Sequence, residues 1–204
     1  MSQQNDRVRV GDPVTSELSR EDEIIAVAAH CFERFGVQRT RIEDVADAVG
    51  ISRAYFYQFF KNREALVDAV LARQLRRIVE DTGPAIWNAK TLSEALTEGA
   101  VKVVRACRQN DVFMDILRRT GDGKISQLSF RTAGFEAEIE LRLWQPVLNA
   151  ARQRGEIRPD LNDDEEILGW LRSILLLLVL KEQISSDEVR TIFRRLVVPG
   201  LVAH

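Results

Sequence analysis

Thr40-Arg41-Ile42-Glu43-Asp44-Val45-Ala46-Asp47-Ala48-Val49-Gly50-Ile51-Ser52-Arg53-Ala54-Tyr55-Phe56-Tyr57-Gln58-Phe59-Phe60 is the stretch whose reading decides the fold. Ile42, Val45, Ala46 and Val49 recur at spacings of three and four, which gives a short helix an inner face. Thr40, with Glu43 three residues on, forms a capping-box pattern at its start, and Gly50 ends it. Ser52 then caps a second short helix reaching to about Phe59, because its hydroxyl can accept from a free amide of the first turn. Phe56 and Phe60 face inward on that helix, whereas Arg53, Ala54, Tyr55 and Tyr57 crowd its outer, leading end. Two short helices joined by a tight turn are the sequence form of a helix-turn-helix, here at about residues 41–60.

The chemistry of the outer face fits a duplex. In such a pair the first helix crosses the DNA backbone and holds the second, whose amino-terminal residues enter the major groove. Arg53 can donate two parallel hydrogen bonds to guanine, worth about 1–3 kcal/mol of discrimination, and Ala54 or Tyr55 can touch a thymine methyl. Thr40, Arg41, Ser52, Tyr57, Lys61 and Arg63 complete the candidate DNA-binding set. Between Ile51 and Arg63 the charged residues are Arg53, Lys61 and Arg63, all basic, with Arg39 and Arg41 close by. That local patch matters because the whole chain carries a formal charge of −2 and lacks the overall basic balance of many nucleic-acid binders. Phosphates neutralised at one face release counterions whatever the net charge elsewhere. Free amides at the helix start marked by Asn62 offer a further anion site.

Outward from this segment the periodicity stays helical. Ser19 with Asp22 marks the start of a first helix, whose stripe Ile24, Ala28, Cys31 and Phe35 leads to Gly36. Residues 1–18 read as a flexible polar arm. Asn62 caps a longer helix from Arg63 to about Glu80, where Gly83-Pro84 breaks the pattern. Further helices are expected at about Leu92–Arg108, Val112–Arg119, Leu128–Arg154, Asp163–Glu182 and Asp187–Val198, punctuated by Gly121-Asp122-Gly123, Gly155, Pro159 and Ser185-Ser186. The fold class is therefore all-α with about nine helices. Its organisation is an arm at 1–18, a DNA-binding domain at 19–65 and a larger domain at 66–204.

Composition excludes several classes. With 204 residues, 45% hydrophobic and 29% charged, the chain is an ordinary globular protein. Its longest apolar run, Ile174 to Leu180, falls far short of the roughly 20 residues needed to span a bilayer. The amino terminus has no signal-like apolar stretch, so a cytoplasmic location is expected. Cys31 and Cys107 lack CxxC spacing and companion histidines, so they read as packed thiols, and no metal site is expected. His30 beside Cys31 points about 100° away on a helix, which leaves no catalytic pair. No enzyme and no cofactor are expected. The competing reading is an all-α interaction protein without DNA binding.

The run Thr40–Ser52 together with Phe56–Leu66 closely resembles the signature of TetR-type transcriptional regulators. In that family the residues matching Tyr57 and Arg63 contact phosphates, and those matching Arg53, Ala54 and Tyr55 approach bases. The family often carries histidine where Phe59 stands and a small hydroxylated residue where Arg41 stands. The resemblance implies a repressor that binds a pseudo-palindromic operator as a homodimer and is released by a small-molecule inducer. It further implies that the middle helices enclose a pocket and the last long helices pair with a second subunit. Large apolar side chains suited to such a pocket are Trp87, Phe113, Met114, Leu117, Phe130, Phe135 and Trp144, which points to a largely apolar effector. The expected dimer face holds Trp170, Ile174, Leu177, Leu178, Phe193, Leu196 and Val197.

Overall fold

The computed structural model describes residues 13–120 and 141–203, with side chains over 20–118 and 141–203. Residues 1–12 of the arm expected at 1–18, the Gly121-Asp122-Gly123 turn, Phe130 and Phe135 lie outside the described residues. Within them the chain is helical, with an isolated antiparallel bridge between Ile157 and Val202. No described helix is long and apolar enough to cross a membrane. Two compact units divide at Leu66–Val67, inside the fourth helix.

The first unit contains α1 (Pro13–Phe35), α2 (Ile42–Val49), α3 (Arg53–Phe59) and the first residues of α4 (Arg63–Trp87). α1 starts earlier than the Ser19–Asp22 pattern indicated. Pro13 at its first position costs no helical hydrogen bond, because the first-turn amides have no intrahelical partner. Its buried stripe is Ile24, Ala28, Cys31 and Phe32, whereas Phe35 stands half exposed with the Arg34 guanidinium over its ring. Gly36 and Gly50 both take the left-handed conformation that closes a helix, at φ 82° and 77°. The Gly50 amide donates to the Asp47 carbonyl and the Ile51 amide to that of Ala46, which forces the tight turn into α3. Val37, Val45, Ala46, Phe56, Phe60 and Leu66 complete this small core.

The second unit is organised around α5 (Leu92–Gln109), against which pack α6 (Asp111–Thr120), α7 (Gln145–Gln153), α8 (Asp164–Leu180), α9 (Ser186–Ile192), the π-helical Phe193–Val197 and α10 (Val198–Leu201). Leu92, Ala95, Leu96, Gly99, Ala100, Val103, Val104 and Cys107 are all buried, so α5 is covered along its length. Small residues permit close approach: a Cβ on Gly99 would sit 2.9 Å from the Trp144 ring and 3.2 Å from Ile86. Polar caps fix the ends. Thr91 accepts from the Glu94 amide at 3.2 Å, Asp163 from the Glu165 and Glu166 amides at 2.9 and 3.2 Å, and Ser185 forms a capping box with Glu188. Arg108 donates to the carbonyls of Val179, Lys181 and Glu182, satisfying the end of α8. The Arg190 guanidinium grips Glu98 through two bonds of 2.7 and 3.0 Å, tying α9 to α5.

Gly83-Pro84 does not break α4, which continues to Trp87. Pro84 lies on the exposed side of the last turn, where the missing amide costs one bond. Asn88 covers the Pro84 carbonyl with both its backbone and its side-chain nitrogen, at 3.3 and 2.7 Å. Gly83 leaves room for the Trp87 ring one turn on in the same helix: a Cβ there would meet it at 2.6 Å. Both cysteines are buried, free thiols. Burial raises the Cys31 pKa and pushes that of Cys107 up to about 12, so neither is a reactive thiolate.

Candidate nucleic-acid interface

The helix-turn-helix is built by caps and by two phenylalanines. Ser52 accepts from the Tyr55 amide at 3.1 Å and so starts α3. Phe56 and Phe60, one turn apart, are buried with ring centroids 5.5 Å apart, and they fix the rotation of α3. The same rotation turns Arg53, Ala54, Tyr55 and Tyr57 outward; the tyrosines remain 38% and 39% exposed, too much for core residues. Tyr55 is held edge-on against Phe59 at 5.2 Å, and Tyr57 against Phe56 at 5.8 Å, so both aromatic side chains are supported from behind.

Arg53 stands at the leading end of α3 and is engaged on two sides. Nη1 lies 2.8 Å from a Glu43 carboxylate oxygen, Nη2 is 3.4 Å from the Tyr57 hydroxyl, and the guanidinium sits 5.6 Å from the centre of the Tyr57 ring. The Tyr57 hydrogen bond, then the Glu43 charge, raise the Arg53 pKa above its ordinary value. Arg39, Arg41 and Lys61 are exposed nearby in sequence.

Two sequence expectations, the role of Thr40 and the cap of α2, need correction, and Arg63 gains a structural partner. Thr40 is 3% exposed, and its hydroxyl donates back to the carbonyls of Cys31 and Gly36 at 3.2 and 2.9 Å, closing the end of α1. It is therefore a latch inside the unit and not a surface contact. In consequence the cap of α2 moves one residue along: Arg41 is the capping position, and its amide donates to Asp44 at 2.8 Å in place of the expected Thr40–Glu43 box. Arg63 is half buried and donates to the Val37 carbonyl, so it ties the start of α4 to the α1–α2 connection. Asn62 caps α4 as expected, accepting from the Ala65 amide at 2.8 Å, which takes up one of the amides read as an anion site. Sequence reasoning missed Glu43 as the partner of Arg53, because the capping pattern already gave that carboxylate a role.

In the second unit Phe113, Met114, Leu117 and Trp144 are buried, and the Trp144 indole N–H has no hydrogen-bond partner among the described residues. Trp87 is 46% exposed with its indole donating to the Leu143 carbonyl at 3.1 Å; with Ile86, Ala95, Pro146, Val147 and Arg154 it lines an open cleft of about 190 Å³. Of the residues expected at a dimer face, Leu178, Phe193 and Val197 belong to the subunit's own core, at 7%, 0% and 1% exposure. Their rows on α8 and the π-helical turn point inward against α5. Trp170, Leu177 and Leu196 stand on the outer faces, with Ile174 partly covered.

The model for bacterial regulatory proteins of the tetR family matches residues 24–70, the segment that builds this reading head. The chain is 29% identical over 153 residues to the HTH-type transcriptional repressor KstR2 of Mycobacterium tuberculosis (strain CDC 1551 / Oshkosh), covering 72% of this chain and 73% of that protein. To KstR2 of Rhodococcus jostii (strain RHA1) it is 24% identical over 202 residues, 94% of this chain and 96% of that one. The crystal structure of RolR with its ligand resorcinol superposes with a TM-score of 0.70 at 13% identity, covering 92% and 90% of the two chains. That of the ketosteroid transcriptional regulator KstR2 of M. tuberculosis gives 0.51 at 21%, over 91% and 96%. These likenesses in structure are likenesses of fold. Together with the supported, outward-facing residues of α3, these comparisons identify residues 24–70 as a DNA-binding domain of the tetR family of bacterial regulatory proteins, in a chain similar over most of its length to transcriptional repressors.

Proposed function

We propose that the chain is a repressor that binds a pseudo-palindromic operator as a homodimer and leaves it when a largely apolar small molecule binds the second unit. The observation that carries the reading is the end of α3, where Arg53, Ala54, Tyr55 and Tyr57 face outward from buried Phe56 and Phe60. Arg53, Ala54 and Tyr55 serve as base-reading residues, while Arg41, Ser52, Tyr57 and Lys61 contact the backbone. Dimerisation is supported by the outward apolar row Trp170, Ile174 and Leu177 on α8, together with exposed Leu196 on the π-helical turn that follows α9. A two-fold protein places its reading heads about 34 Å apart, one helical turn of DNA, and so selects two half-sites.

For the effector, support comes from the buried apolar side chains Phe113, Met114, Leu117 and Trp144, the last with an indole N–H that has no hydrogen-bond partner among the described residues. Such a set suits an apolar ring compound bearing an oxygen acceptor. Two of the similar structures are described in those terms, one as a ketosteroid regulator and one bound to resorcinol.

The test is selection of bound duplexes from a random pool at stated salt, by the wild type and by the Arg53→Ala, Tyr57→Ala double variant. A pseudo-palindrome recovered by the wild type alone is the expected result. If ligand-stripped wild type enriches nothing, the operator reading fails and an interaction protein without DNA binding takes its place.

A further inference from the structure

We infer that Glu43 is a specificity-determining residue: by holding the Arg53 guanidinium it keeps that side chain from pairing with phosphates and reserves it for base edges. The inference rests on the operator reading above and adds to it a residue on the other helix of the motif.

Glu43 lies in the first turn of α2 and Arg53 at the first position of α3, so their 2.8 Å contact bridges the two helices. Asp44, its neighbour, is already committed to the Arg41 amide, which leaves Glu43 as the carboxylate free to face α3. On the other side the Tyr57 hydroxyl and ring close on the same guanidinium. Both members of the pair are exposed, with side-chain exposure of 62% for Arg53 and 47% for Glu43, so the contact adds little to folding stability. Its effect is on what Arg53 does next. An exposed arginine pairs with any phosphate it meets, and phosphate pairing is the sequence-independent part of DNA affinity. A guanidinium already matched by a carboxylate gains little from exchanging it for a phosphate oxygen. A guanine edge offers two acceptors to the fork and can be engaged while Glu43 keeps its hold on Nη1, since a guanidinium carries five donors. The carboxylate also limits the directions in which the long arginine side chain can swing.

The experiment is a double-mutant cycle on the full-length chain: wild type, Glu43→Gln, Arg53→Ala and the double variant, each titrated with the duplex selected by wild type and with a random-sequence duplex at one ionic strength. Glu43→Ala is added because a glutamine oxygen still accepts. The expected result is tighter binding of random DNA and a fall of about two- to fivefold in the ratio of specific to random affinity, the range of coupling seen for exposed ion pairs. The fall is expected to vanish in the Arg53→Ala background. A simple loss of charge repulsion predicts equal tightening on both duplexes and no dependence on Arg53; that outcome overturns the inference and leaves the operator reading standing. Failure of the wild type to select any duplex overturns both.

Discussion

The two units of this chain spend their polar groups in opposite ways. In the reading head, Arg53, Tyr55, Tyr57, Arg41 and Lys61 are turned outward over a core as small as Phe56, Phe60 and the inner face of α1. In the larger unit, Arg108 and Arg190 are turned back on the protein, one closing the carboxyl end of α8 and the other gripping Glu98. Polar groups turned to the surface stay within reach of a partner, even where, as at Arg53, a neighbour also holds them, whereas groups used internally fix the position of helices. The contrast also has a convenient spectroscopic form: Tyr55 and Tyr57 are the tyrosines of the sequence and lie in the first unit, and Trp87, Trp144 and Trp170 are its tryptophans and lie in the second.

The sharpest way to break the comparison is Phe56→Ala. Removing a fully buried phenylalanine costs about 3–5 kcal/mol, more than a small core holds in reserve. Tyrosine fluorescence and DNA binding should be lost at temperatures where tryptophan emission still reports a folded second unit; loss of both signals together would show that the units do not unfold independently. Gly99→Val is the reverse case. Overpacking against Trp144 and Ile86 should cost about 1–3 kcal/mol, lower the tryptophan-detected melting temperature and leave the tyrosine signal first to be judged unchanged.

Arg53→Ala should leave both melting transitions in place and cost about 1–3 kcal/mol in discrimination at one base pair of each half-site. Its counterpart is Arg63, whose bond to the Val37 carbonyl makes it a structural residue as well: Arg63→Ala should lower the tyrosine-detected melting temperature, which a purely phosphate-contacting residue would not do. Gly50→Ala should destabilise the reading head by about 1 kcal/mol, because φ of 77° is strained for any residue with a Cβ even where the space is open.

The smallest effect concerns pH. The Arg190 hydrogen bond, outweighing desolvation, holds the Glu98 pKa below its ordinary value. A carboxylate with a lowered folded pKa contributes its full stabilisation above its unfolded value and loses it as pH falls through the folded one. The second unit should therefore weaken only below the usual carboxylate range. Glu98→Gln should flatten that acid limb in tryptophan-detected melts, by under about 1 kcal/mol for so exposed a pair.

Much of the reading head was legible because its signals are local. Ser52, Asn62 and Gly50 act within a turn of their own position, and the spacing of Phe56 and Phe60 fixes which side of α3 faces out. The misreadings there were choices between adjacent residues. Thr40 and Arg41 could each cap α2, and Glu43 and Asp44 could each fold back on it; packing of Thr40 against the end of α1 decided both. At longer range the pattern was weaker. Gly83-Pro84 read as a break, yet α4 runs on to Trp87, because Pro84 stands on the exposed side of the last turn and its ring removes a single hydrogen bond there. From Ile174 to Leu180 on α8 every position is apolar, so spacing alone could not separate Leu178, which faces α5, from Leu177, which faces out; across the π-helical turn the altered spacing likewise puts Phe193 and Val197 inside and Leu196 outside.

By itself, then, the sequence determined the all-α class, the helix-turn-helix between its caps and the residues α3 turns outward, since each follows from contacts within one or two turns of chain. Tertiary structure alone decided that Glu43 meets Arg53, that Arg63 is committed to Val37 and which apolar residues of the second unit remain uncovered. These depend on where separate helices come to lie, and a side chain's partner across that gap leaves no period in the sequence.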